Sequence, residues 1–98
     1  MKRFVVAVTL EQGRTICNLR RVEISAGDTV RWTCEDSALA VDFQSDTPFT
    51  STQVWKAGRD QMTPVATVKP GLRSGTIFRP AISIDGKVIE SAGDFIVT

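Results

Sequence analysis

The 98-residue chain contains no histidine. That absence removes the commonest general base, the imidazole of Ser-His-Asp and Cys-His nucleophilic centres, and a main donor of zinc sites. Cysteine is scarce as well: Cys17 and Cys34 are too few for a disulfide framework and form no C-x-x-C pair. No apolar run approaches the roughly 18 residues of a membrane-spanning helix, and no stretch keeps a 3.6-residue apolar period for three turns. The phosphate-cradling patterns G-x-x-x-x-G-K-[ST] and G-x-G-x-x-G are missing. Asp42 and Asp46 are near each other, but no Asp-x-Asp-x-Asp-Gly calcium loop surrounds them. No local Ser–Lys or paired-carboxylate motif stands out. These absences point away from an enzyme and away from a metal or other cofactor.

What is present reads as one globular domain spanning 1–98. Apolar residues make up 42% and charged residues 23%, ordinary values for a folded chain. A net charge of +1 gives no overall pull toward nucleic acid or an anionic membrane, so neither is expected as a partner. The charges are nonetheless segregated. Glu35, Asp36, Asp42 and Asp46 form an acidic stretch, whereas residues 47–82 carry Lys56, Arg59, Lys69, Arg73 and Arg79 against Asp60 alone. Such segregation suits a surface that steers an acidic partner or pairs head-to-tail with a second copy. It also suits solvated strand faces that differ in sign.

The start, MKRFVVAVTLEQGR, imitates a signal peptide, but its apolar run is short, β-branched and without a small-residue cleavage site. It reads as a first strand. The default location is therefore cytoplasmic, where both thiols stay reduced. Secretion or a periplasmic location is compatible with a removed leader, and a Cys17–Cys34 bridge would then be possible.

Val, Ile and Thr abound, and Gly and Pro punctuate the chain. Residues 4–10 are apolar on both parities, as expected of a strand covered on both faces or pairing at the core's centre. Residues 16–24 form a second extended segment with Val22 and Ile24 on one face. Ala26-Gly27-Asp28 supplies a turn. Residues 29–35 then place Val30, Trp32 and Cys34 inward, and 38–44 place Leu39, Val41 and Phe43 together. Residues 63–69 and 75–84 resume as strands. Asp85-Gly86 is the strongest hairpin signal, with KVIE returning from it. Ala92-Gly93-Asp94 turns into a last strand, FIVT. Residues 45–64 read as a long polar loop that has room for a short helical turn within 52–60. Seven or eight short strands with regular turn signals predict an all-β, antiparallel Greek-key sandwich.

The order of these signals resembles a cupredoxin-like domain. The resemblance rests on Val22–Ile24, Gly27-Asp28, the V-x-W strand at Val30–Trp32, Val41–Phe43 and Ile96-Val97. It covers residues 1–49 well and 75–98 loosely. It implies a fold whose copper-binding members place one His at the start of the strand after V-x-W, a position that falls at or near Leu39. It also implies Cys, His and usually Met in the loop before the last strand, where this chain reads RPAISIDGKVIESAGDF. A blue-copper centre needs two imidazoles and a thiolate in trigonal array, so type-1 copper is rejected. An immunoglobulin-like sandwich is the alternative fold.

Trp55 is the residue least absorbed by this frame. It lies in STQVWKAGRDQM with Lys56 and Arg59 beside it and Phe49 shortly before. Trp with Arg is a frequent hot-spot pairing at protein interfaces, and an exposed indole also stacks on sugars. Alternatively, Trp55 folds back to cap one end of the sandwich. The sequence therefore predicts a metal-free interaction module that binds a protein partner or itself. Its expected surface is Phe49, Trp55, Lys56 and Arg59, in the 45–64 loop, or an exposed sheet edge. The alternatives are a carbohydrate-binding module with Trp55 as platform, and a structural immunoglobulin-like domain.

Overall fold

Turn chemistry sets the frame. The Asp28 carboxylate accepts the Ser25 and Lys2 backbone N–H groups, each at 2.9 Å. The Asp28 N–H donates to the Ser25 carbonyl at 3.0 Å, and Gly27 takes a φ of 87°, a left-handed conformation that costs glycine little. This knot lays the first strand alongside the V-x-W strand, with the Thr29 N–H donating to the Lys2 carbonyl.

The computed structural model describes residues 1–12, 14–89 and 93–98. Its strands are β1 (Arg3–Glu11), β2 (Arg14–Cys17), β3 (Arg21–Ile24), β4 (Thr29–Cys34), β5 (Leu39–Asp42) and β6 (Trp55–Ala57). They continue as β7 (Ala66–Thr67), β8 (Ile77–Phe78), β9 (Ala81–Ile84), β10 (Lys87–Ile89) and β11 (Asp94–Val97). One layer has the order β2-β1-β4-β7. The other consists of β3-β11-β8 and β10-β9-β5-β6, joined through the segment that carries β8 into β9.

The ladders are mostly antiparallel, but β1 with β4 and β3 with β11 run parallel. The β1–β4 pair follows from chain path: β2 stays beside β1, β3 crosses to the other layer, and β4 returns. Parallel neighbours need such a crossover.

Alternation governs burial. β3 alternates exposed and buried residues, and β4 and β5 place Val30, Trp32, Cys34, Leu39 and Val41 in the core. Two long segments expected to be continuous are broken. Residues 16–24 divide into β2 and β3 where the chain changes layer. Residues 75–84 divide at Arg79-Pro80, so that Phe78 pairs with Phe95 while Ala81 pairs with Asp42. Proline has no N–H to offer a ladder, which suits it to that switch. The Asp85-Gly86 hairpin forms as expected, with φ of 50° and 81° and Ile84 opposite Lys87. The start of the turn expected at Ala92, and the end of KVIE at Glu90, lie outside the described residues.

Three points that the sequence leaves open are decided. β1 is covered on one face only: Val6 and Val8 are buried, while Val5 stands exposed. The 52–60 stretch holds no helical turn, because Trp55–Ala57 pair with β5 in register Leu39↔Ala57, Ala40↔Lys56 and Val41↔Trp55. A Cys17–Cys34 bridge is ruled out by register. Both residues sit beside Val8, Cys17 on β2 and Cys34 on β4. Two interstrand spacings separate their Cα atoms by about 9.5 Å, whereas a disulfide needs less than about 7 Å. Both thiols are free and buried, and burial pushes the Cys17 thiol up.

Candidate interaction face

The aromatic residues meet at the centre. Trp32 of β4 has ring centroids of Phe49 and Trp55 at 5.7 Å, Phe95 at 5.9 Å and Phe43 at 6.1 Å. Most of these pairs are tilted or edge-on, the geometry that aromatic quadrupoles favour. Trp55 and Phe49 are each 1% exposed and 5.2 Å apart. They belong to the core, which corrects their assignment to an interaction surface. Lys56 and Arg59 are exposed, but Lys56 points away from the core on β6 and Arg59 follows that strand. The four residues therefore compose no common patch, and a buried Trp55 offers no stacking platform for a sugar.

Residues 45–64 are drawn inward for a physical reason. Once Trp32 is buried, its backbone N–H and carbonyl need partners. Thr63 supplies both: its N–H donates to the Trp32 carbonyl at 2.9 Å, and its hydroxyl accepts the Trp32 N–H at 3.1 Å. The Asp60 N–H donates to the Cys34 carbonyl at 2.9 Å, and the Thr33 hydroxyl donates to the Gln61 carbonyl at 2.9 Å. Residues 60–63 thus extend the β7 side of β4. Upstream, Phe49 bridges to Val68, and the Thr50 N–H donates to the Thr67 carbonyl at 2.9 Å.

At the end of the sandwich where the fold resemblance would place copper, the residues present are not the expected ligands. Leu39 is buried, with Ala57 and Ile84 opposite it on the flanking strands. The segment after β9 is the Asp85-Gly86 hairpin rather than a ligand loop. The only thiols flank Val8, and the chain has no imidazole. These residues do not fit a copper centre. Among the described residues, no three of His, Cys, Asp and Glu gather as a metal-binding group. Nor is any helix there long and apolar enough to cross a membrane.

A different surface gathers chemistry. On the outer side of β1 and β4, Val5 lies beside Arg31, and Arg3 lies beside Thr29. The inward turn of Thr63 leaves Met62 and Val65 outside. Val5, Met62 and Val65 are 41%, 48% and 49% exposed, and together they line a cleft of about 430 Å³. Arg3 and Arg31 line it too. Arg31 is positioned by the segment that lies against β4, its Nε–H donating to the Thr63 carbonyl at 3.0 Å.

This face was missed in the sequence because residues 4–10 seemed to need cover on both sides. The signal was there nonetheless. Val5 has the parity of Arg3 and Ala7, opposite to Val6 and Val8, and within residues 61–65 Thr63 alone turns inward.

No protein-family model and no curated protein match the chain. Solved structures do. A reduced, Cu(I) form of an amicyanin variant aligns with a TM-score of 0.57 at 13% identity, covering 96% of this chain and 82% of that one. Amicyanin from Paracoccus versutus (Thiobacillus versutus) aligns at 0.56 with 16% identity, covering 96% and 81%. At these identities the likeness is one of fold.

Proposed function

From the premise that the chain has a cupredoxin-like fold without copper donors, we propose that it is a protein-binding module. Its docking surface is the outer face of β1 and β4 together with Met62 and Val65, not Trp55 and its neighbours. The observation that carries this reading is the grouping of Val5, Met62 and Val65 around one cleft. Single exposed apolar side chains are ordinary, whereas a grouped set rimmed by polar residues is the usual mark of an interaction site. Val88, the most exposed valine, lies on the other layer, opposite Ser83 on β9.

The composition of the cleft supports the same reading. It offers arginine, methionine and aliphatic area, residue types found at protein interfaces. A catalytic role finds no support in the donor set, because the cleft holds no nucleophile–base pair.

Site-specific photo-crosslinking in cells that express the protein tests the proposal. A benzophenone side chain at Val65 is expected to give a discrete protein adduct, and one at Val88 is expected to give none. Equal labelling from both positions, or no adduct from Val65, would overturn it.

A further inference from the structure

The same cleft carries a choice of partner, and this step rests on the docking reading above. We propose that the cleft takes an acidic protein segment bearing apolar side chains, with Arg31 as the anchoring residue. The charges lining it are Arg3 and Arg31, and no described carboxylate lines it. Neither arginine forms an ion pair among the described residues, where Arg79 pairs with Asp94 at 2.9 Å. Arg31 is half-buried, and its Nε–H is already committed to the Thr63 carbonyl. That bond fixes the guanidinium plane and leaves both terminal nitrogens for an incoming carboxylate, which a planar fork grips with two parallel bonds. Less side-chain freedom is lost on binding, because one bond has already been made.

Val5, Met62 and Val65 supply the apolar half of the recognition. Methionine adapts its shape to varied partners. A second copy docking the same face across a two-fold would bring four guanidiniums together without counter-charge, so charge complementarity selects an acidic partner over symmetric self-pairing.

A fluorescein-labelled octapeptide alternating glutamate and leucine serves as probe, with lysine–leucine and glutamate–serine peptides of the same length as controls. The expected result is saturable binding of the glutamate–leucine peptide, weakened by added salt, with amide shifts at residues 3–5, 29–33 and 62–65. Arg31→Gln is expected to weaken binding about 10-fold or more, and Arg3→Gln by less, with melting curves confirming that each variant folds.

Equal binding of the lysine–leucine peptide, equal binding of the glutamate–serine peptide, or shifts confined to other faces would overturn the proposal. So would self-association abolished by Arg31→Gln, since the occupant would then be the acidic stretch of another copy. Crosslinks from Val65 without any binding of the acidic probe would leave the docking face standing and remove only this assignment of its partner.

Discussion

Thr63 and Trp32 exchange two hydrogen bonds, one through the Thr63 amide at 2.9 Å and one through its hydroxyl at 3.1 Å. Both residues are fully buried. The pair ties the segment before β7 to the centre of the V-x-W strand. Thr63→Val keeps the shape and removes the acceptor, stranding the buried Trp32 N–H. The expected cost is about 1–3 kcal/mol in denaturant unfolding, with Thr63→Ser recovering most of it.

Trp55 is a core residue whose indole N–H has no partner among the described residues. Trp55→Ala is therefore expected to destabilise by about 3–5 kcal/mol through the cavity it leaves. Trp55→Phe keeps an aromatic ring, removes the unpaired donor and leaves a smaller cavity, so it should cost distinctly less. Equilibrium unfolding of the two variants checks the order.

Asp28 gives the fold an acid dependence. Burial by itself would raise its carboxyl, but the N–H donors of Lys2 and Ser25, with the nearby positive charges, hold it below the ordinary carboxylate range. A folded-state value below the unfolded one contributes stability above the unfolded pKa and loses it as pH falls through the folded pKa. Wild type should thus exceed Asp28→Asn in melting temperature near neutrality. The gap should narrow as pH drops below about 4. A gap that widens in acid would contradict the assignment.

The two thiols should remain separate. With Cys17 and Cys34 on opposite sides of Val8, mild oxidation of the native protein is expected to leave its mass unchanged. A thiol reagent should react slowly until denaturant is added, because both thiols are buried and the Cys17 thiol is held in its protonated form.

Much of the fold was legible in local pattern. Val30, Trp32 and Cys34 alternate inward because a strand's side chains alternate, and Asp85-Gly86 specifies a two-residue hairpin because both positions need positive φ. The fate of Trp55 was not legible. Its burial depends on pairing with Val41 and on the Thr63 bonds to Trp32, and both are contacts between distant segments. Polar neighbours such as Lys56 gave Trp55 the look of a surface residue, yet strand alternation lets one point outward while the other points in. The proposed docking face was hidden for the converse reason: three apolar residues that local pattern would bury are left outside by the register of β1 on β4 and the anchoring of Thr63.

A fold whose solved neighbours include copper proteins lacks here the imidazoles of a copper centre, and the docking proposed for it uses another face. The absorption spectrum of the purified protein on addition of copper(II), read alongside its melting temperature, tests the first half of that claim most directly. The account predicts no intense visible thiolate-to-copper band and no stabilisation, because a ligand that does not bind the native state cannot raise its melting temperature. An intense blue band accompanied by a raised melting temperature would contradict it.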